Sequence, residues 1–440
     1  MKLFRLLFFS SILFFTTTNA DVWIDPIIKQ NIINKGAEEL SVIVLLKGAP
    51  SPLVSSSLEE RRLSKSRILR VLSNLGLSEA ELRRATILWS VNGVHIYLNS
   101  DQIVQLAKTK ELQAIIYDFE ISLDIPKSFE PDIRDQKITW GIKKINLIKV
   151  WNELKLTGKN VKVGVLDTGY SDHPALRNRV VADRSFTFGQ KFGPTDGHGH
   201  GTHCAGTIGG TTVDGKVIGV AQGVDFVIGR IFNNKGKGSL SLMLKGMQWI
   251  ADPDENPATK DYPAVVSNSW GTAWKNQNKI EALLRAVQTW KNVGIIPVFA
   301  AGNSGPRPQT ILIPGVFDES ITIGSTDRSD RIARFSSQGP GVYLGNKTDK
   351  PDLTAPGVSV YSADLNGKYT YRSGTSMATP HITGIIAIML EANPNLDTEQ
   401  VRKILKESSI DLGDSGYDYA FGSGRIDAYN AAIKALQSLN

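Results

Sequence analysis

The stretch Gly374-Thr375-Ser376-Met377-Ala378-Thr379-Pro380-His381 sets a serine between a Gly-Thr turn and a small residue, and an uncharged, largely apolar run from Ile382 to Leu390 follows it. The pattern predicts a serine at the start of a buried helix, where free backbone N–H groups and the positive end of the helix dipole favour negative charge. An acyl-transfer nucleophile needs that setting, because an oxyanion develops beside it. Taken alone, the stretch reads equally well as a capped helix with Thr375 or Ser376 as its N-cap.

Three other stretches carry groups that could act with it. Asp167 ends the apolar run that begins at Val161 and precedes Thr168-Gly169, which predicts a carboxylate at the carboxyl end of a strand. By itself it reads more readily as a turn former. Asp196-Gly197-His198-Gly199-His200-Gly201-Thr202-His203-Cys204 holds three of the chain's six histidines. A histidine bonded to a carboxylate through one nitrogen can take a hydroxyl proton on the other. The rival reading, a metal site made of His198, His200 and His203, has a spacing that fits no common zinc helix motif. Finally, Ala300-Ala301-Gly302-Asn303 follows an apolar strand, and the Asn303 amide could donate to an oxyanion. Its plain alternative is an asparagine in a turn.

Short apolar strands over 161–166, 225–231, 264–268, 295–300 and 320–323 alternate with helical stretches over 240–250 and 278–291. This alternation predicts an α/β domain with a doubly wound parallel sheet and helices on both faces. In such sheets functional residues gather at the carboxyl ends of the strands. The segment from Asp21 to about Ile133 has a different rhythm. A strand over 41–46, a helix over 58–75, an alternating stretch over 86–98 with an Asn92-Gly93 hairpin signal, a helix capped by Asp101 and a strand over 112–123 give the split β-α-β-β-α-β order. Residues 124–136, with Pro126, Pro131 and several charges, read as a linker.

A chain of 440 residues, 41% hydrophobic, can hold one large and one smaller domain. The net charge of +7 is scattered, apart from Arg61 to Arg70 and Arg83-Arg84, and reads as solvated helix surface rather than a nucleic-acid site. Met1 to Ala20 has Lys2 and Arg5 before the apolar run Leu6 to Phe15 and ends in Thr18-Asn19-Ala20, the pattern of a secretory signal. No other stretch is expected to cross a membrane. Cys204 is the only cysteine, so an intramolecular disulfide is impossible.

Together, the four stretches resemble the motifs of the subtilisin-like serine peptidases, in that family's order Asp, His, Ser. Trp140-Gly141-Ile142 and Gly422-Ser423-Gly424-Arg425-Ile426-Asp427-Ala428 resemble the two ends of its peptidase domain. The resemblance implies a secreted serine endopeptidase. Ser376 would be the nucleophile, His200 the general base and acid, and Asp167 the group that orients the imidazole. Asn303 and the Ser376 N–H would form the oxyanion hole. Ser269, Trp270 and Gly271, with Ala301 and Gly302 opposite, would wall the primary specificity pocket, giving a preference for large apolar or aromatic side chains. Gly236, Lys237 and Gly238 would pair with extended substrate. Cys204 resembles the buried thiol of the proteinase K-like and thermitase-like branches.

Residues 21–133 then resemble an inhibitory propeptide of ferredoxin-like α+β fold, with linker, ahead of a peptidase domain over 134–440. Self-cutting is expected between about Asp124 and Lys137. No cofactor is needed for the chemistry, and a structural calcium at Asp214 is a further expectation. Expected partners are protein or peptide substrates and the chain's own propeptide, with no nucleic acid and a monomeric state. The alternative is a catalytically silent scaffold of the same fold that only binds peptides.

Overall fold

The computed structural model describes residues 22–34, 36, 38–48, 58–73, 75, 77–125, 137–187, 193–273 and 275–439. The expected signal (1–20) and most of the expected linker (126–136) lie outside the described residues.

The larger unit is built on a nine-stranded sheet. In spatial order its strands are Ser409–Ile410, Arg425–Ile426, Leu353–Pro356, Ile321–Thr326, Ile296–Ala300, Val265–Asn268, Lys162–Asp167, Asp225–Arg230 and Val180–Ser185. All pair in parallel except the edge strand Ser409–Ile410. Near-continuous apolar runs such as Ile296–Ala300, buried at every position, suit a sheet covered on both faces. One face carries the helices Thr375–Ala392 and His200–Gly209; the other carries Leu240–Ile250 and Gln277–Val293. Strand Lys162–Asp167 lies between Val265–Asn268 and Asp225–Arg230. The chain order therefore reverses there, and the carboxyl ends of these strands open onto one crevice. The sheet is doubly wound, as the alternation predicts.

The smaller unit is a five-stranded sheet, Trp23–Ile24, Leu112–Tyr117, Leu40–Leu46, Gly93–Leu98 and Thr86–Leu88 in spatial order. Its last four strands carry the predicted split β-α-β-β-α-β arrangement, all antiparallel. Trp23–Ile24 and the helix Pro26–Ile33, capped by Asp25, extend it beyond what the sequence pattern predicts. The helix expected to be capped by Asp101 is capped by Asn99 instead and runs Ser100–Leu106, because Asn99 and Gln102 close a reciprocal capping box.

The strand expected over 112–123 is broken in two. Leu112–Tyr117 stays in the small sheet, while Glu120–Ser122 leaves it and pairs antiparallel with Lys237–Ser239 of the larger unit. The break falls at Asp118. Its carboxylate accepts hydrogen bonds from Ser241 N (2.8 Å) and Ser241 Oγ (2.7 Å) at the start of helix Leu240–Ile250, where an anion meets the positive helix end.

One apolar cluster joins the two units. Ile43, Leu45, Val91 and Ile116 of the small unit pack with Met243, Met247, Leu283 and Trp290 of the two helices beneath. Arg285, 5% exposed, donates to the carbonyls of Leu46 and Val91 (3.1 Å each) and to Gln113 Oε1. It thus satisfies strand-end acceptors that docking removes from water.

Candidate active site

Asp167 closes its strand at the crevice, fully buried. Its Oδ1 lies 2.8 Å and its Oδ2 3.0 Å from His200 Nδ1. A carboxylate can only accept, so Nδ1 carries the proton and Nε2 is left as the basic nitrogen of the neutral ring. Burial weighs against a charged imidazole, but the Asp167 carboxylate more than offsets it and raises the pKa of His200 above its ordinary 6.5.

His200 begins its helix, and Asp196 secures that start. Asp196 Oδ1 accepts from His198 N and Gly199 N (2.9 Å each), and Oδ2 accepts from Thr202 N and Thr202 Oγ1. Asp196 has no part in the family resemblance, although an Asp just ahead of a helical run is a capping signal.

Ser376 is the second residue of helix Thr375–Ala392 and is 4% exposed. Pro380, one turn on, has no N–H to give the Ser376 carbonyl. That carbonyl instead accepts from Ser269 Oγ (2.8 Å) and Cys204 Sγ (3.5 Å). A proline that would break another helix here frees an acceptor that ties the helix start to two other segments. Cys204 Sγ also lies 3.9 Å from His200 Nδ1, so one buried thiol touches both residue 200 and residue 376. Ser376 Oγ itself donates to Ser269 O at 3.1 Å. It makes no hydrogen bond to the imidazole in this structure.

Asn303 is held by the same helix start. Its Oδ1 accepts from Thr375 N (2.9 Å) and Thr375 Oγ1 (3.1 Å), which turns Nδ2 toward the crevice. There Nδ2 donates to the carbonyl of Asp124 at 2.5 Å. Leu123 N donates to Gly236 O at 2.9 Å, continuing the ladder of Glu120–Ser122 on Lys237–Ser239. Gly236, Lys237 and Gly238 thus pair with an extended segment, and that segment is the end of the small unit.

The remaining expected residues divide. Ser269 and Gly302 stand at the helix start: Ser269 binds the Ser376 carbonyl, and Gly302 N donates to Thr375 Oγ1. Trp270 does not add a wall to the crevice. It is 2% exposed and packs edge-on against Phe299 in the core, as Ala301 also does in that cluster. Successive residues of an extended segment face opposite ways, which leaves Gly271 and Gly302 on the crevice side. The three histidines do not converge on one point. His203 is fully buried with Nε2 at the Val360 carbonyl, and the His198 ring centre is 6.2 Å from that of His200. Asp214 is exposed at a turn beside Lys216 and belongs to neither group of three convergent potential ligands among the described residues. One exposed carboxylate next to a lysine does not fit a calcium site, which needs six to eight oxygens.

Residues 158–424 match the Subtilase family model, Peptidase_S8. The chain is a subtilase. Serine protease AprX of Bacillus subtilis is 35% identical to this subtilase, across 64% of this chain and 68% of its own. Subtilisin DY of Bacillus licheniformis is 37% identical, across 68% and 99%. M-protease of Shouchella clausii is 33% identical, across 72% and 76%. The subtilase described here is accordingly a serine endopeptidase acting on protein or peptide substrates. Among its described residues no helix is long and apolar enough to cross a membrane.

Proposed function

We propose that this endopeptidase is exported as a precursor that cuts itself, with Ser376 as nucleophile, His200 as base and acid, Asp167 as the group orienting the imidazole, and Asn303 with the Ser376 N–H as oxyanion hole. The observation that carries this reading is the Asp124 carbonyl on Asn303 Nδ2, one helix start away from Ser376. Ser376 Oγ forms an ester with the Asp124 carbonyl carbon as His200 takes its proton. The bond to the Ile125 nitrogen breaks, and that nitrogen leaves with the proton His200 returns. Water then releases Asp124 as a free carboxylate. Residues 22–124 stay docked through the shared apolar cluster and the Glu120–Ser122 ladder, and so act as an inhibitor until they are degraded. The apolar run after Lys2 and Arg5 supports export, and the enzyme works as a monomer.

A fluorophosphonate probe tests the assignment. Mature enzyme should be labelled at Ser376 and the Ser376→Ala protein should not. Labelling at another residue, or none in an intact protein, would remove the nucleophile from this account and leave a silent peptide-binding scaffold.

A further inference from the structure

The two walls between which the side chain preceding the cleaved bond would enter are the segments at Gly271 and Gly302. A Cβ built on Gly302 would lie 2.5 Å from Leu312 Cγ, and one built on Gly271 would lie 2.7 Å from Leu312 Cβ. One side chain therefore spans the gap between both walls. Its backbone is pinned there: Leu312 N donates to Ala301 O (2.9 Å), and Ile313 exchanges hydrogen bonds with Thr272 in both directions. Leu312 is 6% exposed, so it fills this space rather than guarding its rim. The segment now in the crevice agrees. Asp124, at the position before the cut, does not run down between the walls. Its Oδ2 turns to accept from Asn303 N at 2.6 Å. By contrast Ile121, three residues upstream, is buried to 5% in the apolar cluster.

We infer that Leu312 closes the primary side-chain pocket, so that this subtilase cuts after short side chains such as Ala, Ser or Asp, takes a large apolar residue three positions upstream instead, and cuts its own precursor at Asp124–Ile125. The inference rests on the site proposed above. It reverses the expectation of a large apolar or aromatic preference, because that expectation came from wall residues, and the floor is supplied by a turn ten residues further along the chain.

The test uses mature enzyme from the full precursor, titrated with the fluorophosphonate so that rates refer to active sites. Peptide substrates of sequence Ile-Ser-Leu-X are compared with X as Ala, Ser, Asp, Leu and Phe. Expected is a kcat/KM for Ala or Ser at least about tenfold above that for Phe, the scale on which a pocket rejects excess volume. L312G should raise kcat/KM for Phe relative to that for Ala by about tenfold or more. The first fragment released from the precursor should end at Asp124. A wild-type preference for Phe or Leu overturns the inference even if L312G fails to fold, and so does an unchanged Phe-to-Ala ratio in folded L312G. An enzyme that the probe does not label at Ser376 would instead sink the underlying site.

Discussion

At the scale of single residues, the site turns on which groups are held and which are left free. Asp167 fixes the proton on His200 Nδ1 and raises the ring's pKa. The base must be neutral to accept a proton, so activity is lost as pH falls through the raised value. The acid limb of kcat/KM should therefore have its midpoint above 6.5, measured from a pH profile with a neutral peptide. Asp167→Asn should cut kcat by orders of magnitude, since an amide can present the wrong partner to Nδ1. Asn303→Ala should cost on the order of a hundredfold or more in kcat with a smaller change in KM. Thr375 never touches the scissile carbonyl; it orients Asn303 through two hydrogen bonds. Thr375→Val keeps the backbone bond but loses the hydroxyl with its bonds to Asn303 Oδ1 and Gly302 N, so a kcat loss of roughly fivefold or more is expected. Steady-state kinetics on one substrate series would check all three.

At the scale of elements, two helices do unlike work on their two sides. Leu240–Ile250 and Gln277–Val293 cover the large sheet and also carry the small one. Arg285→Ala would leave the Leu46 and Val91 carbonyls unpaired if the interface stayed closed. Such a buried anchor at an interface centre is worth about 2 kcal/mol or more, so the separately supplied small unit should inhibit the mature enzyme roughly thirtyfold less tightly. Elsewhere, strands Ile321–Thr326 and Leu353–Pro356 are tied by Asp352, whose carboxylate accepts from Thr322 N (2.8 Å) and pairs with Lys350 (2.9 Å) and Arg402 (2.8 Å). Burial opposes the charge on Asp352, but Lys350 and Arg402 hold its pKa down at about 2. A depressed carboxylate contributes stability above its unfolded pKa and loses it as pH falls through the folded value, so thermal stability should drop between about pH 4 and pH 2. Asp352→Ala should cost about 3–5 kcal/mol by leaving the buried Lys350 ammonium without its carboxylate, read from denaturant unfolding of the inactive Ser376→Ala protein.

At the scale of the whole molecule, the end of the small unit lies across the site, and in the function proposed above it is also the first substrate. The chain runs from its sheet through Asp118, along Lys237–Ser239, to the carbonyl held by Asn303. Ser376→Ala precursor should accumulate uncut in isolation, and adding a trace of mature enzyme should process it; electrophoresis over time checks both. Conversion of the isolated variant at the normal rate would mean that another peptidase activity makes the cut. Much of this was legible in the sequence. The apolar strand before Asp167, the glycine-rich turn before His200 and the uncharged run after Ser376 are local patterns, since the side chain's chemistry and the backbone's period are set by neighbours a few positions apart. The split β-α-β-β-α-β order was readable on the same ground. What local pattern does not encode is which remote atoms meet when the chain closes. Trp270 faces the core because a strand's alternation is referenced to the layer beneath it. The strand over 112–123 breaks because a helix start from residues 239–241 captures Asp118. The Ser376 carbonyl is satisfied by Ser269 and Cys204, both more than a hundred positions upstream. The pocket's depth depends on Leu312, whose side chain reaches both walls only after two parallel strands have been laid side by side. Chemistry and element type follow from short-range sequence, whereas the shape of the space around the chemistry belongs to long-range packing.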